Sequence, residues 1–256
     1  MNLSLILTLL GRNCDNNMKH KCTFADNVLQ FNKKLSETSL NLPEEFKIIN
    51  PYNGKEKEKV YDMTVKFYQK YYDDTTNRHL ILGSSPARRG SAITGIPFED
   101  ITYLQNETGV KISNYFINRA SSSFMEEVIE RWGGRSKFYA QFYMNFVCPL
   151  GISKVDSMGK ETNCNYYDSR ILQKALYDFI IKSIQNQIGL GIDTSICFCI
   201  GSGCNFKFLN KINHKYAFFD EIIPLEHPRF IMQYNSKHKH DFLNKYINEL
   251  KKINKL

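Results

Sequence analysis

The sequence predicts an α/β fold, a mainly parallel sheet covered on both faces, and three observations carry that prediction. Short apolar runs at Leu80-Ile81-Leu82, in TSICFCIG (194–201) and in FDEIIPLE (219–226) alternate with longer segments of helical periodicity. Each run opens into a polar or glycine-bearing loop, and in such sheets ligands sit at the carboxyl ends of the strands. The 256 residues contain no low-complexity linker, so one domain is expected.

Thr23, with Asp26 three residues on, reads as a helix start, and Phe24, Val28, Phe31 and Leu35 share one face. Residues 39–56 hold Pro43, Pro51, Asn53 and Gly54, which is loop chemistry. A second helix is expected from about Lys57 to Tyr72, then the strand ending at Gly83. One of Ser121, Ser122 or Ser123 is expected to cap a helix that runs to Trp132 and is stopped by Gly133-Gly134. The segment SKFYAQFYMNFVCPLG changes from helical aromatic spacing to a short strand ending at Pro149. Asp168 is the expected N-cap of a long helix with Ile171, Leu172, Ala175, Leu176, Phe179, Ile184 and Ile188 inward and Gly189 as its C′ residue. The last helix, roughly Lys239 to Ile253, stripes Phe242, Tyr246, Leu250 and Ile253 opposite its lysines.

Hydrophobic residues at 42% against charged residues at 23% exclude disordered and fibrous classes. A formal net charge of +8 favours a polyanionic partner, because lysines and arginines that neutralise phosphates release counterions. Seven cysteines without a paired C-x-x-C spacing fit a reduced, cytoplasmic compartment. Cys197, Cys199 and Cys204 could ligand a metal with a distant fourth group, but Cys197 and Cys199 read better as small apolar residues on a buried strand. The N-terminal run LSLILTLLG is too short for a bilayer and has no basic region before it, so no membrane partner is expected. Residues 1–17 read as an upstream extension with no part in the fold, and 18–256 as the domain.

The stretch HLILGSSPARRGSAITGIPFED (79–100) is the candidate site. Gly83, Ser84, Ser85, Pro86, Gly90, Thr94, Gly95, Pro97 and Phe98 follow a buried strand. This stretch resembles the first motif of the single-strand-selective monofunctional uracil-DNA glycosylases, G-M-N-P-G-P-x-G-x-x-x-T-G-V-P-F, without a gap. Cys148-Pro149-Leu150 resembles a second segment of that family, and His227-Pro228 falls where its H-P-S-P motif belongs. The runs FYMNFVCPLG, NCNYYD and LEHPRFIMQY look most like the bacterial second branch of the family.

The resemblance implies a single-domain, three-layer α/β/α fold with a short four-stranded central sheet, and hydrolysis of an N-glycosidic bond in DNA without metal or cofactor. It implies a monomer that flips a uracil or related deaminated base out of the stack. His227 would donate to the charge developing on the base O2. Gly83, Ser84, Pro86 and Gly95 would bring backbone close to the base, Phe98 would stack on it, and Asn145 would read its edge. Arg88, Arg89, Arg229, Phe230 and Met232 would meet DNA, the last three as phosphate contact or as the wedge that fills the vacated stack.

Two departures stand out. Ser85 replaces the catalytic Asn, and Ala87 the next glycine. A serine hydroxyl orients water but is no base near neutral pH, and a missing base costs about 10²–10⁴ in rate. The base-reading Asn is displaced to Asn145, for which a structural amide role is equally open; Asn163 and Asn165 are further candidates, with capping of the next helix as their alternative role. A non-catalytic DNA-binding relative is therefore the second reading. A serine hydrolase or nucleotide-binding enzyme is the third, against which stands the lack of a G-x-S-x-G elbow or Walker motif.

Overall fold

The computed structural model describes residues 21–113, 115 and 119–255, so the extension expected at 1–17 lies outside the described residues. Helix α1 (Phe24–Ser36) starts at the expected capping box, with Asp26 N donating to Thr23 Oγ1 and Thr23 N to Asp26 Oδ2. Such a cap stabilises a helix by about 1 kcal/mol. The expected loop 39–56 contains a strand, β1 (Phe46–Ile49), before its proline turn. Helix α2 (Lys57–Tyr72) has the expected bounds.

The central sheet comprises β2 (Arg78–Gly83), β3 (Phe142–Phe146), β6 (Ile192–Ile200) and β7 (Glu221–Leu225), in the order β3-β2-β6-β7 and parallel throughout. Pro224 is tolerated because β7 is an edge strand, where one missing N–H breaks no inner ladder. β4 (Gly151–Val155) and β5 (Glu161–Cys164) form an antiparallel hairpin, and β1 adds to it as a three-stranded outer sheet.

Alternation along β3 defines the layers. Tyr143 packs on Phe24 of α1 and on Tyr68 and Tyr72 of α2. Its neighbour Phe142 points the other way, onto Trp132 of α5 (Arg119–Trp132) and Phe138 of α6 (Arg135–Tyr139). Short α3 (Ser91–Thr94) and α4 (Ile101–Thr108) lie between β2 and α5. The chain continues through α7 (Arg170–Ile188), α8 (Cys204–Tyr216), α9 (Pro228–Tyr234) and α10 (Lys239–Leu250). The α/β/α expectation is thus met, and Cys197 and Cys199 are buried on β6 as small apolar residues.

Several local expectations change. Ser121, Ser122 and Ser123 lie inside α5, which has already begun at Arg119, so none caps its start. Ser169 rather than Asp168 caps α7, accepting from Leu172 N; Asp168 instead accepts from Asn165 N at 2.8 Å. The buried face of α7 is Leu172, Leu176, Ile180, Ile181, Ile184 and Gln187, leaving Ile171 and Ala175 exposed. This rotation brings the Gln187 amide to the Phe146 carbonyl at 3.1 Å. Gly189 keeps helical angles, and the left-handed residue is Gly191, at φ +110°. Among the described residues no helix is long and apolar enough to cross a membrane.

Candidate active site

The strand ends are level across the sheet. Leu82 lies beside Asn145 and Cys199, Gly83 beside Phe146, and Ile200 beside Leu225. Three of the loops that sequence singled out therefore leave one rim: Ser84–Asp100 after β2, Val147–Leu150 after β3 and Glu226-His227 after β7. The first two are zipped together, as Val147 N donates to Gly83 O at 2.8 Å and Cys148 N to Ser84 O at 3.0 Å.

Two glycines are required by close approach. A Cβ on Gly83 would sit 2.7 Å from Phe98 Cζ and 2.8 Å from Phe146 Cδ1. Gly95 has φ +71°, and the Tyr52 ring would lie 2.8 Å from its Cβ, while Tyr52 OH donates to Gly95 O at 2.8 Å. Two asparagines pin the same loop from β5 and its exit. Asn163 Oδ1 accepts from Arg88 N at 2.8 Å and Asn165 Oδ1 from Ser84 Oγ at 2.9 Å, so they are loop anchors and cap no helix.

Phe98 is a non-glycine residue at φ +61°, a conformation that costs energy and survives only where its surroundings enforce it. The next residue supplies the enforcement. Glu99, buried, takes two 3.0 Å bonds from Arg135 and a third from Tyr139 OH. Phe98 is thereby laid on Phe146, ring centroids 5.3 Å apart and planes within 26°.

A narrow pocket opens between the glycine loop, the end of β3 and the α1–α2 layer. Pro86, Ser91, Gly95, Pro97, Asn145 and Phe146 line it together with Asn32, Tyr52 and Tyr68, and about 10 Å3 is open to the centre of a water molecule. Asn145 is buried, with Nδ2 donating to Tyr143 OH at 2.8 Å and Oδ1 accepting from Phe146 N at 2.9 Å. Since an amide has two donors and two acceptor positions, one of each remains. Ser85 is buried, and among the described residues the Cys148 thiol is the polar side chain beside its Oγ. Burial pushes that thiol up to about 12, so Cys148 is no nucleophile.

His227 stands on the same rim but outside the pocket wall, two residues beyond β7. β6 separates it from β2, a distance of roughly 10 Å at ~4.8 Å per strand. It caps α9: Nδ1 accepts from Arg229 N at 3.1 Å. Burial first, and the Arg229 charge second, lower its pKa to about 4. The ring is neutral at pH 7, and with Nδ1 occupied as acceptor the proton is on Nε2, which makes that atom a hydrogen-bond donor.

Beyond it the expected DNA-contacting residues divide. Met232 turns inward against the core, whereas Phe230 is 48% exposed and faces Tyr234, 76% exposed, at 6.2 Å between ring centroids. Arg229 is exposed, its Nε donating to Gln233 Oε1 at 3.0 Å; Arg89 is exposed and Arg88 half-buried. Among the described residues no three His, Cys, Asp or Glu side chains gather as a metal site. Sequence reasoning missed Tyr52, Tyr68 and Asn32, which come from segments with no motif, and the Glu99–Arg135 pair. The last had a signal, a glutamate directly after the motif's Phe98.

This arrangement, a glycine loop, a buried amide with one donor and one acceptor position spare and a neutral histidine on one parallel rim, agrees with the family comparison. The model of the uracil DNA glycosylase superfamily matches residues 69–251, and the chain belongs to that superfamily. Among solved structures, the crystal structure of wild-type SMUG2 from Pedobacter heparinus is similar, with 48% sequence identity and a TM-score of 0.85. The match covers 92% of this chain and 100% of that one. No curated protein matches the chain.

Proposed function

We propose that the protein is a DNA-repair glycosylase that hydrolyses the N-glycosidic bond of uracil or a related deaminated base. The reading includes base flipping, no metal or cofactor, and a cytoplasmic monomer. The observation that carries it is the placement of His227 on the rim, with Nδ1 taken by Arg229 N at the start of α9. A neutral ring whose Nδ1 is occupied by a helix cap offers Nε2–H to a base oxygen, and that bond strengthens as negative charge builds on the leaving base.

Asn145 supports the substrate class. Its spare acceptor and donor complement an N–H beside a carbonyl, the edge shared by uracil and the oxo-purines. Phe98 gives the stacked face and Gly83 and Gly95 the room. Ser85 Oγ, at the place of the catalytic Asn with the Cys148 thiol beside it, orients the water that attacks C1′. Phe230 fills the vacated stack, with Arg88, Arg89 and Arg229 at the phosphates.

Incubating the protein with single- and double-stranded oligonucleotides carrying uracil, xanthine or hypoxanthine, then cleaving abasic sites with alkali, is the test. Strand breaks at one or more of these bases are expected; none at any of them would refute the reading. The second reading, a DNA-binding relative without turnover, is favoured by Ser85 and by Val147 at the place of the base-reading Asn. Ser85→Asn separates the two: if the wild type releases no base and the variant does, the scaffold is a glycosylase that has lost its water-activating group.

A further inference from the structure

Helices α7 and α8 leave a groove between them that the site above does not use. Both start at the catalytic rim. α7 begins five residues after Asn165, whose side chain holds Ser84, and α8 begins at Cys204, four residues past the end of β6. The groove has a volume of about 440 Å3. Arg170 and Lys174 line it from successive turns of α7 and Lys211 from α8, while Tyr177 and Phe208 give it an aromatic floor.

Three cations face this one cavity. Among the described residues Arg170, Lys174 and Lys211 pair with no carboxylate, and Asp178 is the single acid in the lining. Cations spaced along a groove over aromatic rings match one polymer in particular. A single nucleic-acid strand offers phosphates to the cations and a base to the half-buried Tyr177 ring, beneath which Phe208 is buried.

We propose that the α7–α8 groove is a second DNA site, gripping the backbone of a single strand that leaves the catalytic rim. The proposal rests on the glycosylase reading only for the direction of the strand. Its test measures binding and does not need turnover. Full-length wild type and Lys174→Glu/Lys211→Glu are titrated with fluorescent single-stranded 20-mers and 6-mers and with a duplex 20-mer at several salt concentrations.

The double variant should bind the 20-mer at least about tenfold more weakly, with a salt slope lower by roughly 1.4 for two lost single-strand phosphate contacts. The 6-mer should be unaffected, and Lys174→Gln/Lys211→Gln should shift the 20-mer in the same direction if the charges act locally. Tyr177→Ala should cost about five- to fiftyfold on the 20-mer. An unchanged slope and affinity for the 20-mer would overturn the proposal, and so would a loss confined to a duplex 20-mer. A wild type that releases no base but shows the 20-mer effect defeats the glycosylase reading and leaves the groove standing. An active wild type with indistinguishable variants does the reverse.

Discussion

The loop after β2 and the helix after β7 share one rim of the sheet, yet they are held in different ways. The loop is tied by Asn163 and Asn165 from the outer sheet, by Tyr52 from beside β1 and by Cys148 from the end of β3. Helix α9 is tied at its start by the His227 cap and at its middle by buried Ile231, and it leaves Phe230 and Tyr234 bare. On the proposed function, many polar ties give a fixed wall that judges the shape of a base, and one anchored histidine followed by exposed aromatics gives the reach to enter DNA.

The largest effect that would break this contrast comes from the rigid side. Gly83→Ala puts a methyl group where Phe98 and Phe146 already stand, so the rings must part. Overpacking of this kind costs about 1–3 kcal/mol, measured as a lower denaturation midpoint. A displaced Phe98 is expected to slow base release about 10²-fold. On the reaching side, Phe230→Ala/Tyr234→Ala should weaken binding to DNA about tenfold while the folding midpoint hardly moves, read by fluorescence anisotropy. The smallest effect is Asn165→Ala, which removes the Ser84 tie and should lower stability by about 1 kcal/mol in a urea titration.

Acid should distinguish the two regions again. His227 is held near 4 in the fold against 6.5 for a free ring, so the unfolded chain binds the proton more readily between those values. Stability is expected to fall as pH drops from 6.5 towards 4, with this contribution fully present above 6.5. A urea midpoint that stays constant over that range in wild type, or falls equally in His227→Ala, would place the cause elsewhere.

What could be read in the sequence followed from local signals. The capping box at Thr23 and the apolar runs of β2 and β6 depend on neighbours in the chain, and they appear where the pattern places them. β1 was hidden because its residues read as part of a proline-rich loop and become a strand only by pairing with β4. The phase of α7 was misjudged because Ile171 is apolar yet faces outward, while the polar Gln187 is buried on a backbone carbonyl. In the site, the motifs marked Gly83, Phe98 and His227. The anchors Asn163, Asn165 and Tyr52 act through contacts 43 to 81 residues away in sequence, which no local spacing encodes.

The most direct test of the account is single-turnover release of uracil and xanthine from single-stranded DNA between pH 5 and 8, by wild type and by His227→Ala. A histidine that works as a neutral donor predicts a wild-type rate with no inflection near 6.5 and a variant slower by about 10²–10³. A wild-type rate that titrates with a midpoint near 6.5, or a variant as fast as wild type, would contradict it.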